Sequence, residues 1–254
     1  MLKELTRQDW LSILNIPQRR IPLALLVRGT RNFRHWYQLA QEHFTNILEV
    51  GTPNGVLDDL FIAELGPYPV AYASVYGAPM ASEIVHVFGV LGTRLVIQVS
   101  NCGALADEMV AGDLFSASEA YCGEGASQYY TPGETKVSAT LDVREWISSE
   151  ALKSVKLHQG CIYTTSALFA EGADDIENWY RSGCAAVDLE TAATFAVAKY
   201  FGMDRGSIAY AFDNPRQKEH ILLNDAEKAE RRSNGNRLMI ELALDVIQTY
   251  ASRK

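Results

Sequence analysis

The sequence predicts a single-domain α/β fold over residues 1–254, three layers with a central mixed β-sheet flanked by helices. Three observations carry this. Short apolar runs alternate with segments of helical period along the whole chain. A length of 254 residues with 48% hydrophobic content is enough for one sizeable core. No internal repeat, low-complexity stretch or linker divides the chain.

The elements follow in order. Residues 1–14 alternate charged and apolar side chains at helical spacing, so the chain opens on a helix. The run 21–27, bounded by Pro22 and Gly29, suits a fully buried first strand. Arg28-Gly29-Thr30-Arg31-Asn32-Phe33-Arg34 is a cation-rich turn that opens a helix over 33–44. Backbone amides at a helix start, with arginines beside them, make an anion cradle or equally a solvated basic loop.

Residues 61–65 and 70–76, joined at Gly66-Pro67, read as a hairpin. Gly77-Ala78-Pro79 breaks that pattern, and helical period resumes over 80–91, where Glu83 and His86 are expected to pack rather than react. The strand 94–99 runs into Ser100-Asn101-Cys102-Gly103, whose small residues allow a ligand to approach the backbone. Another strand covers 114–121, and the Gly-, Ser- and Tyr-rich segment 122–135 is either a lid or plain surface.

A helix is expected over 144–155, a strand over 157–164 and a short helix over 174–181. The apolar run 184–187 reads as a strand end that leads through Asp188-Leu189-Glu190 into an Ala-rich helix stopped by Gly202. A last strand over 207–212 meets Asp213-Asn214-Pro215, where the proline holds Asp213 at the strand end, and a helix over 224–249 follows.

Two carboxylates at one strand-to-helix junction have a structural explanation, Asp188 as helix N-cap and Glu190 as a first-turn acid. They also stand where parallel α/β sheets place ligands. A net charge of -8 without like-charge runs argues against nucleic acid and anionic membranes as partners. Cys102, Cys122, Cys161 and Cys184 are far apart in sequence, without zinc-ligand spacing, which suits a reduced cytoplasmic protein. No apolar run approaches the ~20 residues that span a bilayer, and no signal peptide is expected.

The order of these features resembles the nucleoside phosphorylase family that includes hexameric purine nucleoside phosphorylases, uridine phosphorylases and methylthioadenosine nucleosidases. The shared features are a glycine turn after the first strand, Gly77-x-Pro79 before a helix, a Gly-rich strand end at Gly103, Asp188-Leu189-Glu190, and Asp213 after the last strand. The resemblance runs from about residue 21 to the C-terminus and is most specific over 187–192. It implies a pentosyltransferase that needs no metal or organic cofactor, with phosphate as co-substrate, and a homo-oligomer, dimer or hexamer.

Residue by residue, Leu189-Glu190 matches the family's Met-Glu pair, whose glutamate accepts hydrogen bonds from ribose hydroxyls. Asp188 stands beside it, as support or cap. Asp213 matches the aspartate that protonates a purine leaving group, with Asn214 or Arg216 available to tune it. Phe169 is placed to stack on base or ribose, Asn101 replaces a threonine that contacts ribose or phosphate, and Gly103 keeps the turn.

The departures concern the anion site. The phosphate loop is reduced to Gly29-Thr30-Arg31 with Arg34 as a displaced substitute, and an arginine on the strand before the Gly-rich turn is Gln98. A subunit-crossing arginine near 51–55 and an N-terminal histidine are missing. Met80 makes one side of the expected pocket more apolar, and the uridine-selecting Gln and Arg are replaced by Ala170-Glu171-Gly172. The resemblance implies a purine-type nucleoside cleaved by phosphate; the alternatives are hydrolysis by water, which Gln98 favours, and a non-catalytic nucleoside-binding protein.

Overall fold

In a computed structural model of the chain, residues 1–254 are described except 52–54, 56, 152–154, 223–224 and 254. The order of elements is α1 (Arg7–Ile13), β1 (Ala24–Gly29), α2 (Phe33–Gln41), β2 (Thr45–Glu49), β3 (Leu60–Leu65), β4 (Tyr68–Val75) and α3 (Gly77–Leu91). Then come β5 (Leu95–Ala104), β6 (Leu114–Cys122), β7 (Lys136–Ser138), α4 (Leu141–Ala151) and β8 (Leu157–Thr164). The chain finishes with α5 (Ala173–Arg181), β9 (Cys184–Asp188), α6 (Thr191–Tyr200), β10 (Asp204–Asp213) and α7 (Ala226–Arg253).

The apolar runs read from the sequence become the inner strands of a mixed sheet. β1 lies parallel between β4 and β5, and all six of its residues are buried, as a strand covered on both faces requires. β3 and β4 form the expected antiparallel hairpin, with Gly66 at φ 59° in its turn. Beyond β5 the sheet closes on itself. β10 pairs with both β5 and β6, while β9 bridges β5 and β8, so β5, β9, β8, β6 and β10 form a ring.

Two strands escape sequence reading for physical reasons. β2 is an edge strand with mostly exposed residues, so it lacks an apolar signal. β7 has three residues and completes the loop 122–135 by pairing with β6. The helix expected over 144–155 begins at Leu141 and is described to Ala151, and the last helix is described from Ala226; 152–154 and 224 lie outside the described residues.

Alternation along β1 and β5 divides the core. Leu26 and Ile97 face one layer with Tyr37, Tyr72, Val143 and Ile247, while Val27 and Val96 face the other with Phe88 and Val197. Full burial of a side chain such as Phe88 contributes about 1.5–3 kcal/mol. Close packing of α3 on α6 requires Gly89, because a Cβ there would fall 2.4 Å from the Phe201 ring. His86 packs as expected, its Nδ1 3.0 Å from the Tyr130 hydroxyl and its ring edge-on to Phe201. No helix among the described residues is long and apolar enough to cross a membrane.

Candidate active site

A cavity of about 960 Å³ opens at the carboxyl ends of β1, β5, β9 and β10. Gly29, Asn101, Gly103, Asp188, Leu189, Glu190 and Asp213 all line it, from four separate stretches of sequence. Chain distance gives no hint of this meeting; strand order does.

Asp188 ends β9, and its carboxylate is satisfied from within the protein. Thr164, at the end of β8, donates its hydroxyl to Oδ1 at 2.7 Å, and the Thr191 amide donates to Oδ2 at 3.0 Å. Thr164 Oγ1 also accepts from the Ala192 amide at 2.9 Å, tying β8 to the first turn of α6. Asp188 is thus not the N-cap residue expected, since Glu190 takes that position, but its side chain still binds the first amide of α6, while burial raises its pKa against these bonds.

Glu190 does something else. It occupies the N-cap position of α6 but makes no side-chain cap bond. Its Oε1 accepts from the Gly77 amide at 2.8 Å, and the residue is 4% exposed. Burial, then the Asp188 charge, pushes its pKa up to about 8. A carboxyl held by backbone amides at a cavity wall keeps hydrogen-bonding capacity for a polyhydroxylated ligand.

Asp213 ends β10 across the cavity. It is 4% exposed, and burial pushes its pKa up to about 6, opposed by Arg232 and, more weakly, by His220 and Lys228. Arg232 comes from α7, donating Nε–H to the Phe212 carbonyl at 2.6 Å with its guanidinium 3.9 Å above the Phe212 ring. The expected tuners are engaged elsewhere. Asn214 donates to the Ala106 and Met109 carbonyls, and Arg216 binds the Leu105 carbonyl and Asp107.

The anion residues are only partly brought together. Gly29 lies against Glu190, but Arg31 is at the rim, its guanidinium 4.7 Å from the Tyr76 ring and 5.2 Å from Phe169. Arg34 does not line the cavity; it is exposed on α2, where Asp59 feels its charge. Phe169 is 78% exposed on the same rim, and Met80 stands outside the cavity. The loop 122–135 contributes no lining residue, so it is no lid over this cavity. The segment 52–54 and residue 56, where a subunit-crossing arginine was sought, lie outside the described residues.

Three polar groups that the sequence shows only as a turn cation, a lost arginine and a loop acid have settings that the structure supplies. Arg28, 1% exposed, donates to Asn236 Oδ1 at 2.6 Å and lies 4.8 Å from the Trp36 ring, a guanidinium within electrostatic reach of Glu190. The sequence puts Arg28 in the turn after the strand, whereas it lies within β1. Gln98 is fully buried, with Oε1 fixed by the Thr194 hydroxyl at 2.8 Å and Nε2 without a hydrogen-bond partner among the described residues. Glu171 lines the cavity with an unpaired Oε1, and burial followed by the Asp213 charge pushes its pKa up to about 7. Among the described residues, no three His, Cys, Asp or Glu side chains converge as a metal site.

Comparisons place this geometry in a family. The family model for the phosphorylase superfamily matches residues 38–248. A guanosine phosphorylase from Halorubrum lacusprofundi is 27% identical over 133 residues, 52% of this chain and 55% of the relative. A DeoD-type purine nucleoside phosphorylase from Clostridium beijerinckii is 25% identical over 192 residues, 72% of this chain and 77% of the relative. The match thus spans little more than half the length of the first of these relatives. The crystal structure of a uridine phosphorylase from Vibrio fischeri superposes with a TM-score of 0.78 at 22% identity, covering 92% of this chain and 95% of that one. The chain belongs to the phosphorylase superfamily.

Proposed function

We propose that this member of the phosphorylase superfamily cleaves the N-glycosidic bond of a purine-type nucleoside, with phosphate as nucleophile. The observation that carries the reading is the meeting of Glu190 and Asp213 in one cavity, each a buried carboxyl with a raised pKa. Glu190 would accept hydrogen bonds from the ribose hydroxyls and, in its ionised form, stabilise the cationic sugar that forms as the bond lengthens. Asp213, holding a proton near pH 6, would give it to the departing base. Similarity to a guanosine phosphorylase and a purine nucleoside phosphorylase supports a purine and a phosphate nucleophile.

Anion binding would use the backbone around Gly29 and the side chain of Arg31, with Asn101 across the cavity. A second reading, hydrolysis, is favoured by Gln98: its buried amide is neutral, and Arg34 is outside the cavity. No metal or organic cofactor is part of either proposal, and the working form is proposed to be a homo-oligomer. Release of free base from a panel of purine and pyrimidine nucleosides, with and without phosphate, decides. Phosphate-dependent release of purines supports phosphorolysis, phosphate-independent release selects hydrolysis, and binding without release removes the catalytic reading.

A further inference from the structure

The sequence separates Cys161 from Cys184, but the sheet does not. They are register partners on the parallel strands β8 and β9, and their sulfurs lie 3.2 Å apart. We propose that Cys161 and Cys184 form a redox-active dithiol that hydrogen peroxide closes to a disulfide, and that this closure acts on the cavity through β8 and β9.

The geometry needs little movement. A disulfide spans Cα atoms about 4.4–6.8 Å apart, and neighbouring strands are about 4.8 Å apart. Bonding would draw the sulfurs together by about 1 Å, to about 2.05 Å. The β8–β9 register shifts between Cys161 and Ile162, so the ladder already departs from regular pairing beside the pair.

The surroundings suit the chemistry. Both thiols are free and buried, in a four-residue cluster with Leu105 and Val187. The partly buried Tyr121, Tyr163, Ile176 and Trp179 pack against it, with Tyr163 stacked on Tyr121 at 5.0 Å and on Trp179 at 4.6 Å. Contact with the Cys161 thiol and the charge of Lys136 both lower the pKa of Cys184, which makes its sulfur the attacking thiolate. Lys136 itself is paired with Glu119 at 2.6 Å.

The steps balance. The Cys184 thiolate attacks one peroxide oxygen, breaking the O–O bond and leaving a sulfenic acid and hydroxide. The Cys161 sulfur then displaces the sulfenic oxygen, forming the S–S bond and releasing water. In sum, two thiols are oxidised, and one peroxide is reduced to two waters.

The link to the cavity is covalent and short. Cys184 opens β9, which ends in Asp188, and Cys161 lies on β8, which ends in Thr164. Thr164 donates to Asp188 beside Glu190, so a shift of β8 against β9 is felt at that hydrogen bond.

The test treats the full chain with hydrogen peroxide and follows intact mass, peptide mapping and deuterium uptake. The expected result is a species about 2 Da lighter, containing a 161–184 linked peptide, reversed by dithiothreitol and abolished by Cys161→Ser and by Cys184→Ser. Deuterium uptake over 186–192 should differ between oxidised and reduced chain. A mass gain without linkage, or a bridge through Cys102 or Cys122, overturns the dithiol assignment. Unchanged uptake over 186–192 in the linked species overturns its action on the cavity. Mapping of the unmodified chain decides the linkage even if a serine variant fails to fold.

Discussion

Gly29 and Glu190 share one small volume: a Cβ built on Gly29 would lie 2.6 Å from Glu190 Oε2 and 3.0 Å from Gln98 Nε2. The glycine at the end of β1 is therefore a spatial requirement of the carboxylate opposite, independent of any turn.

Gly29→Ala should push Glu190 off its Gly77 amide. Misplacement by about 1 Å can cost about a hundredfold in rate, so kcat/KM should fall by about that factor while the fold persists. Steady-state kinetics beside a thermal melt check this; near-normal kcat/KM would show that Glu190 is not positioned from β1.

Asp213→Asn should lower kcat by about 10²–10⁴ on nucleosides with poor leaving groups and spare those whose base departs unprotonated. The acid works while protonated. Wild-type kcat/KM should therefore decline as pH rises through about 6, and that limb should vanish in the variant. A pH–rate profile that keeps the limb would assign the proton elsewhere.

Gln98→Arg should restore a cation beside Glu190. Phosphate KM should fall at least about tenfold, the value of one charge-assisted hydrogen bond, and the Glu190 pKa should drop. Phosphate titration of base release reads the first effect; an unchanged phosphate KM would place the nucleophile away from Gln98.

Thr164→Val removes a hydroxyl that serves both Asp188 Oδ1 and the Ala192 amide. Leaving two buried groups short of partners should cost about 1–3 kcal/mol, read as a lower midpoint in urea. A midpoint within error of wild type would mean that water replaces the hydroxyl.

Stability should also depend on pH. Glu190 has a folded pKa of about 8, above its ordinary 4.5, so the folded state binds the proton more tightly. Its contribution is fully present below about 4.5 and is lost as pH rises to about 8. Glu190→Gln should flatten that decline in urea midpoints measured across the window.

Much of this fold is legible in the sequence because buried strands announce themselves. The runs at 21–27, 94–99 and 207–212 are apolar for the same reason that they are central. The edge strand β2 and the short β7 carry no such signature. Asp188, Glu190 and Asp213 were visible as acids at strand ends, and the cavity joins them. What sequence order conceals is the partner supplied from afar. Arg232 reaches Asp213 from α7, Thr194 fixes Gln98 from α6, and Cys161 meets Cys184 across the sheet. Arg31, next to Gly29 in sequence, also lines the cavity, with its guanidinium against the Tyr76 and Phe169 rings at the rim.

The ring of five strands sets an order of assembly. β10 is the last strand in the chain, yet it inserts between β5 and β6 and carries Asp213 at its tip. Closing the ring joins residues about a hundred positions apart, a long-range contact whose entropy must be met before packing rewards it. During synthesis β5 and β6 are complete well before β10 emerges, so both keep a bare edge until then. The acid and the protection of those edges arrive together, which ties competence of the cavity to escape from aggregation in a single late step.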